Sequence, residues 1–174
     1  MKGLNEMYYT PWTYPYPYQP NYYAIEPMYN YWNMYDDSRN KGKDYGKKPF
    51  VVNINAAAKH NNTYRTAIWT GDHFQVTLMS INVGDDIGLE IHPHVDQFLR
   101  IEQGKGIVQM GKRKDHLNFV QHVSDDFAIM IPAGTWHNVT NTGNTPLKLY
   151  SIYAPPQHPF GTVHLTKAQA MAAE

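Results

Sequence analysis

The chain of 174 residues contains no cysteine, and neither sign of charge is in excess. Without cysteine it cannot form a disulfide framework or a thiolate metal site. Fifteen lysines and arginines balance fifteen aspartates and glutamates. This balance argues against a nucleic acid or an anionic membrane as partner, and it favours self-association into a homodimer or a larger assembly.

Long apolar runs are missing as well. No stretch approaches the ~20 apolar residues that a membrane-spanning helix needs. The first residues, MKGLNEMYYTPW, lack the apolar core of a signal peptide. The sequence therefore predicts synthesis in the cytoplasm and no membrane partner, and it leaves open a final place in an outer layer such as a spore coat.

The composition changes near residue 49. The preceding segment holds eleven of the fourteen tyrosines and five of the twelve prolines, with almost no aliphatic residues. It cannot build an aliphatic core, and Tyr-Pro alternation favours extended or polyproline-like backbone. We predict that residues 1–48 form either a flexible tail or an adhesive arm that docks on the domain, on a neighbouring subunit or in a multilayer assembly. The tyrosines assigned to such an arm are Tyr8, Tyr9, Tyr14, Tyr16, Tyr18, Tyr22 and Tyr23.

From Pro49 onward, short β-type runs follow one another, separated by Gly, Asp, Asn or Pro. The ten runs are 49–56, 63–70, 73–83, 87–92, 96–102, 106–111, 117–123, 126–132, 137–142 and 147–155. They predict an all-β antiparallel sandwich or barrel over residues 49–165. Residues 166–174 are the one helical stretch, with Thr166 as its cap and Gln169 as the capping-box partner.

The stretch GLEIHPHV places Glu90, His92 and His94 at alternate positions. In a β-strand all three would point the same way, with neighbours ~6.6 Å apart and the outer two ~13 Å apart. One metal ion can therefore bind at most one adjacent pair. This spacing alone does not decide which pair it is.

The same stretch lies within a longer pattern, Gly84 to Gly104, which resembles the first signature motif of the cupin superfamily. In that register Glu90 and His92 take the two histidine positions, and Gln97 takes the position of the family's glutamate. The resemblance therefore implies that Glu90 and His92 are the ligand pair, and that His94 is a turn residue beyond it.

Residues 132–141, PAGTWHNVTN, resemble the second cupin motif. Pro132, Gly134, His137 and Asn141 fall at its positions, and Asp126 replaces its leading glycine. The resemblance implies a double-stranded β-helix, or jelly-roll, barrel and makes His137 a further metal ligand.

Together the two motifs predict a site made of Glu90, His92, Gln97 and His137. One carboxylate, two imidazoles and an amide oxygen suit a divalent transition metal, namely Mn, Fe, Zn or Ni. Gln97 departs from the family pattern, because a neutral amide binds weakly and cannot act as a strong general base.

Two functions fit this pattern, and the sequence leaves open whether the protein is an enzyme. In the first, it is a metal-binding cupin whose arm drives self-assembly of the spore-coat or filament type. In the second, it is a metal-dependent enzyme acting on a small oxygen-rich molecule, either a sugar or sugar-phosphate isomerase or epimerase, or an Fe(II) dioxygenase.

Further expectations concern single residues. Met79, Met110, Met130 and Trp136 are predicted to fill the core. Arg100 and Glu102 are predicted to form an ion pair on the outer face, and Asp96 to cap a turn. His158 and His164 are expected in a loop packed on the barrel, with a lid or a second, intermolecular metal site as the alternative.

Overall fold

The computed structural model describes residues 43–173 of the chain. Within this range, nine strands form two antiparallel sheets, one in the order β6-β3-β8-β2-β1-β9 and the other in the order β5-β4-β7. The strands are β1 Arg65–Thr70, β2 Gln75–Ile81, β3 Asp96–Gln103, β4 Lys105–Gly111, β5 Phe119–Ser124, β6 Ala128–Ile131, β7 Trp136–Asn141, β8 Leu147–Ala154 and β9 Val163–His164. The predicted all-β antiparallel barrel is therefore confirmed, and eight of the ten predicted runs are strands β1 to β8.

The first predicted strand, 49–56, is wrong, because helix α1 occupies Ile54–His60. The side chain of Asn53 caps the helix by accepting a hydrogen bond from the N–H of Ala56 at 3.0 Å. Three consecutive alanines then favour the helix and leave little bulk between it and the sheet. Ala57 and Ala58 pack against Ile68 and Leu78 on the outer face of the larger sheet.

The predicted strand 87–92 is also wrong as a regular strand. The chain there makes only two isolated bridges, between Asp86 and Thr140 and between Glu90 and His137. Glycines with positive φ lie before and within the segment, at 77° for Gly84 and 86° for Gly88, so the backbone turns instead of continuing a ladder. The segment nevertheless runs alongside β7, which carries His137.

The interior between the two sheets is filled by aliphatic side chains from both of them, including Met79, Leu99, Val108 and Val139, with Met110 packed against their edge. The prediction for Met130 is wrong, because its side chain is 65% exposed on the outer face of β6. Its neighbours Ile129 and Ile131 point inward instead.

Trp136 lies outside the core as well. Its ring is half-buried, and Nζ of Lys114 lies 5.4 Å from the ring centroid. Trp136 therefore makes a surface contact with a cation on the β4–β5 connection.

The predicted ion pair on the outer face is present, with Nε of Arg100 at 3.6 Å from Oε1 of Glu102. Glu102 is buried, however, because α1 covers it and Nδ2 of Asn55 donates to its Oε2. The outer face of the larger sheet is thus partly covered by the N-terminal helix.

The C-terminal helix α2 spans Lys167–Met171, within the predicted segment. The side chain of Thr166 accepts from the N–H of Gln169, and Oε1 of Gln169 accepts from the N–H of Leu165 at 2.7 Å. The predicted cap at Thr166 is therefore confirmed. The side chain of Gln169 accepts from the N–H of Leu165, one residue before the N–H of Thr166 that a capping box would use. In the described range neither helix has the length and apolar character needed to cross a membrane.

Candidate metal centre

Three potential ligands converge inside the barrel. Glu90, His92 and His137 each offer one ligand atom, and these atoms all lie within 4.8 Å of one another. Oε1 of Glu90 is 3.3 Å from Nε2 of His92 and 3.2 Å from Nε2 of His137. Within residues 43–173 this is the one such group of histidine and acidic side chains.

The backbone fixes these residues opposite one another. The N–H of Glu90 donates to the carbonyl of His137, and the N–H of His137 donates to the carbonyl of Glu90, both at 3.0 Å. The carbonyl of His92 accepts from the N–H of Gly134 at 2.9 Å. Each ligand of the first motif is therefore tied by main-chain bonds to the second motif, although the bonded residues are 42 or more positions apart in sequence.

The hydrogen bonding of His137 determines which ring nitrogen faces the site. Nδ1 of His137 lies 2.9 Å from the carbonyl oxygen of Thr135, which can only accept, so Nδ1 carries the hydrogen. In the neutral ring, Nε2 then presents a lone pair to the carboxylate oxygen of Glu90. Two acceptors at 3.2 Å repel each other unless a cation, either a proton or a metal ion, lies between them.

The carboxylate of Glu90 is held in its ionised form. Burial alone would raise the pKa of Glu90, but in the metal-free protein hydrogen bonds donated by His137 and His92, with a proton between each imidazole nitrogen and the carboxylate, lower this pKa to about 2. The buried guanidinium of Arg65 lies nearby, with Nη2 at 3.8 Å from Oε2 of Glu90. The site therefore keeps an anionic ligand oxygen over the whole physiological pH range.

Gln97 lies on β3 with its side chain buried. Its Nε2 donates to Oγ of Ser151 at 3.0 Å, while its Oε1 is buried and has no hydrogen-bond partner in the described part of the chain. Gln97 pairs across the sheet with Tyr153, whose ring lies edge-on to His92 at 5.6 Å. The amide oxygen is thus the atom that Gln97 leaves available for a ligand.

The residues predicted to lie outside the site do so. His94 is exposed in the turn after His92. Oδ1 of Asp96 accepts from the N–H of Ala133 at 2.8 Å, so Asp96 caps the turn that leads into β7. This turn includes Gly134, whose φ of 72° favours glycine.

His158 is the residue near the site whose importance the sequence did not reveal. Its backbone N–H donates to Oε1 of Gln75 at 3.0 Å, and its carbonyl accepts from Nε2 of Gln75 at 2.9 Å. The ring stacks edge-on against Tyr153 at 5.0 Å, and its buried Nε2 has no hydrogen-bond partner among the described residues. Burial, together with the positive charge of Arg65, lowers the pKa of His158 to about 3.

The loop expectation for His158 is therefore confirmed: the segment packs on the barrel. The loop expectation is wrong for His164, which lies in β9 and pairs with Arg65 of β1. No signal short of the three-dimensional contact with Gln75 identifies His158, because the two residues are 83 positions apart.

The tyrosines assigned to the assembly arm, Tyr8 to Tyr23, lie outside the described residues. The assembly role assigned to them stays a prediction.

Comparison with known proteins places these motifs in context. The family model described as the Cupin domain matches residues 77–153, which include Glu90, His92, Gln97 and His137. The protein YrkC of Bacillus subtilis (strain 168) is 64% identical, over 97% of this chain and 100% of its own length. A protein of Acanthamoeba polyphaga mimivirus is 44% identical over 70% of this chain and 74% of its own.

A solved structure agrees with the fold described above. The crystal structure of BH2720 from Bacillus halodurans is 72% identical, with a TM-score of 0.74, over 75% of this chain and 98% of that one.

Proposed function

Because the chain belongs to the cupin superfamily, we propose that it binds a divalent transition-metal ion through Glu90, His92 and His137 and presents that ion to a small oxygen-rich ligand. One observation carries the proposal: the lone pair of His137 Nε2 faces the ionised oxygen of Glu90 at 3.2 Å. A metal ion would replace this repulsion with two coordination bonds.

The donor set suits Mn, Fe, Zn or Ni, and three protein ligands leave coordination positions open. When bound, such an ion supplies Lewis acidity toward a ligand oxygen. Gln97 would add its amide oxygen as a weaker fourth donor. Arg65 favours the ionised form of Glu90, and Thr135 fixes the tautomer of His137.

Two reaction classes use this donor set, a sugar or sugar-phosphate isomerase or epimerase and an Fe(II) dioxygenase. Proton transfer in an isomerase needs a competent base. The amide of Gln97 and the imidazole of His158, with a pKa of about 3, are both weak bases. The site therefore favours chemistry in which the ligand oxygen is polarised without a strong protein base. Oxygen consumption by the Fe(II)-loaded protein in the presence of a panel of small oxygen-rich compounds, measured against the Zn-loaded protein, separates the two classes.

The direct test of the proposal is metal content by mass spectrometry, on untagged protein purified without a nickel column. We expect near one ion per chain in the natural protein and almost none in His137→Ala. His94→Ala is the matched control, since His94 is an exposed histidine close to the same motif, and it should retain the ion. Equal metal content in all three proteins would contradict the proposal.

A second proposal is a self-assembling role of the spore-coat or filament type. It is supported by the concentration of tyrosines before residue 49 and by the balanced charge of the chain. Removal of residues 1–42, the part of the predicted 1–48 arm that precedes the contacts of Asp44 and Tyr45 with the barrel, should reduce the mass measured by light scattering to that of a small oligomer while the barrel keeps its metal ion. An unchanged mass would contradict an assembling arm.

A further inference from the structure

A row of three side chains leads from the metal centre along the inner face of the smaller sheet to its edge. In the strand register, His137 of β7 pairs with Met110 of β4, and Met110 pairs with Phe119 of β5. Residues that pair directly across antiparallel strands point to the same face of a sheet. Because His137 points into the barrel, Met110 and Phe119 do so as well.

The neighbouring positions show the same direction. Val108 of β4 pairs with Val139 of β7, and both are buried in the core between the two sheets. Val123 of β5 belongs to the same core. Side chains alternate along a strand, so Phe119, four positions before Val123, lies on the inner face too.

The inner face is open to solvent at the end of this row. Phe119 is 48% exposed, and the first four residues of β5, numbers 119–122, are all exposed. A strand with one face inside a closed barrel would instead alternate between buried and exposed residues. The barrel therefore has an opening beside Phe119, and the partly buried Met110 lies between this opening and His137.

The larger sheet lines the same end of the barrel with polar groups. Gln75, Gln97 and Tyr153 form one inward-facing row across β2, β8 and β3, and all three are buried. Oε1 of Gln97 has no hydrogen-bond partner in the part of the chain that the structure describes. A molecule between the two sheets therefore meets amide and phenol groups on one side, and a thioether and a phenyl ring on the other.

The apolar side chains lie within reach of a molecule bound at the metal centre. Phe119 and His137 are two strand spacings apart, ~10 Å between their Cα atoms, with Met110 midway. Small-molecule sites combine apolar walls with a few polar groups that fix orientation. An exposed phenyl ring beside such a site is therefore explained by contact with the bound molecule, since its exposed part adds nothing to the core.

We propose that Met110 and Phe119 form an apolar subsite for the part of the ligand that does not bind the metal ion. The ligand is then a small molecule with oxygen donors at one end and a flat apolar group, such as an aromatic ring, at the other. This inference rests on the metal-binding function proposed above. It narrows the ligand class from oxygen-rich molecules in general to those that also carry an apolar group.

Two hydroxamates test the subsite. Acetohydroxamate and benzohydroxamate bind a divalent ion through the same pair of oxygens, and they differ only in carrying a methyl group or a phenyl ring. Isothermal titration of the zinc-loaded full chain gives the ratio of the two affinities, in which the contribution of the zinc–oxygen bonds cancels. We expect benzohydroxamate to bind about tenfold more tightly, because its ring packs on Met110 and Phe119.

Phe119→Thr should lower this ratio to about two or less, since threonine removes the ring but keeps the strand preference of the position. Phe127→Thr is the matched control. Phe127 is also an exposed phenylalanine, at 50%, but it lies directly before β6 and outside the row. The control should keep the tenfold ratio, and both variants should keep about one zinc ion per chain.

Three results would overturn the subsite. The first is equal affinity of the natural chain for the two hydroxamates, or binding of neither, as expected if another part of the protein or a second copy covers Phe119. The second is a preference for benzohydroxamate that Phe119→Thr retains, and the third is an equal loss of this preference in Phe127→Thr. With zinc still bound, each of these leaves the metal-binding proposal standing, whereas a natural chain that binds no zinc would overturn both proposals.

Discussion

The two ends of the barrel interior differ in chemistry, although the same strands line both. On β3 the inward-facing side chains change from Gln97 near the metal centre to Leu99 and Ile101 further along. All three are almost fully buried. A single strand thus supplies a polar group to the site and aliphatic groups to the core.

Strand β8, the neighbour of β3, changes in the same direction. Tyr153 and Ser151 face the site, and Leu149 and Leu147 belong to the core. Gln97 pairs with Tyr153 across the two strands, and its Nε2 donates to Oγ of Ser151 at 3.0 Å. The polar side chains of β3 and β8 therefore meet at one end of the barrel interior. The comparison indicates that the apolar end stabilises the fold, while the polar end is available for ligand chemistry.

The largest expected effect that tests this division is on stability. Leu99→Ala should lower the free energy of unfolding by ~2–5 kcal/mol, because Leu99 has no exposed surface and the neighbouring side chains cannot close the cavity. The variant should keep about one metal ion per chain. Urea denaturation and metal analysis check both points, and a stable variant that had lost its metal ion would contradict the division.

The polar end should make stability sensitive to acid. His158 has a pKa of about 3 in the folded protein and an ordinary value near 6.5 when unfolded. Between these values the unfolded chain holds a proton that the folded chain lacks, so stability falls as the pH falls from 6.5 toward 3. The slope is at most ~1.4 kcal/mol per pH unit.

His158→Gln should remove this contribution to the loss of stability between pH 6.5 and 3. Denaturant unfolding of the metal-free protein at several pH values measures the change. Its backbone bonds to Gln75 do not depend on the side chain at position 158, so the fold is retained. The same slope in both proteins would show that His158 is not held in its neutral form.

A smaller effect is expected from Gln97→Ala, two positions before Leu99 on the same strand. If the amide oxygen is a fourth donor, metal affinity should fall about tenfold while the ion remains bound at saturating concentration. Isothermal titration of the metal-free protein measures this change. Unchanged affinity would assign Gln97 only to the hydrogen bond with Ser151.

The smallest expected effect lies outside both ends, at the turn before β6. Asp126 has a φ of 70°, a conformation that favours glycine, and it accepts from Nη2 of Arg100 at 2.6 Å. Asp126→Gly and Asp126→Ala both lose this bond, but only the glycine relieves the backbone. We expect the glycine variant to be ~1 kcal/mol more stable than the alanine variant by thermal unfolding. Equal stability of the glycine and alanine variants would mean that the backbone at position 126 changes to a conformation that alanine adopts without strain.

The eight strands were predictable because their signals are local, and the three converging ligands because the motifs that carry them resemble those of the cupin superfamily. Glu90, His92 and His137 fall within two short patterns of fixed spacing, and the turns that set this spacing place them opposite one another. The glycine position of the second pattern keeps its backbone conformation even where Asp126 replaces the glycine.

Other features depend on contacts that a single segment does not encode. The run AIMI is apolar throughout, so alternation could not tell that Met130 faces outward while Ile129 and Ile131 face inward. Helix α1 follows two valines, whose strand preference masked the cap at Asn53. Arg65 and His158 reach the region of the site only through the packing of distant strands and loops.

The central claim is that Glu90, His92 and His137 hold one metal ion. X-ray absorption at the edge of the metal found in untagged protein tests it most directly. The account predicts two imidazole nitrogens among ligands at ~2.0–2.2 Å, with one imidazole signal lost in His92→Ala. A spectrum without imidazole scattering, or one that is identical in His92→Ala, would contradict it.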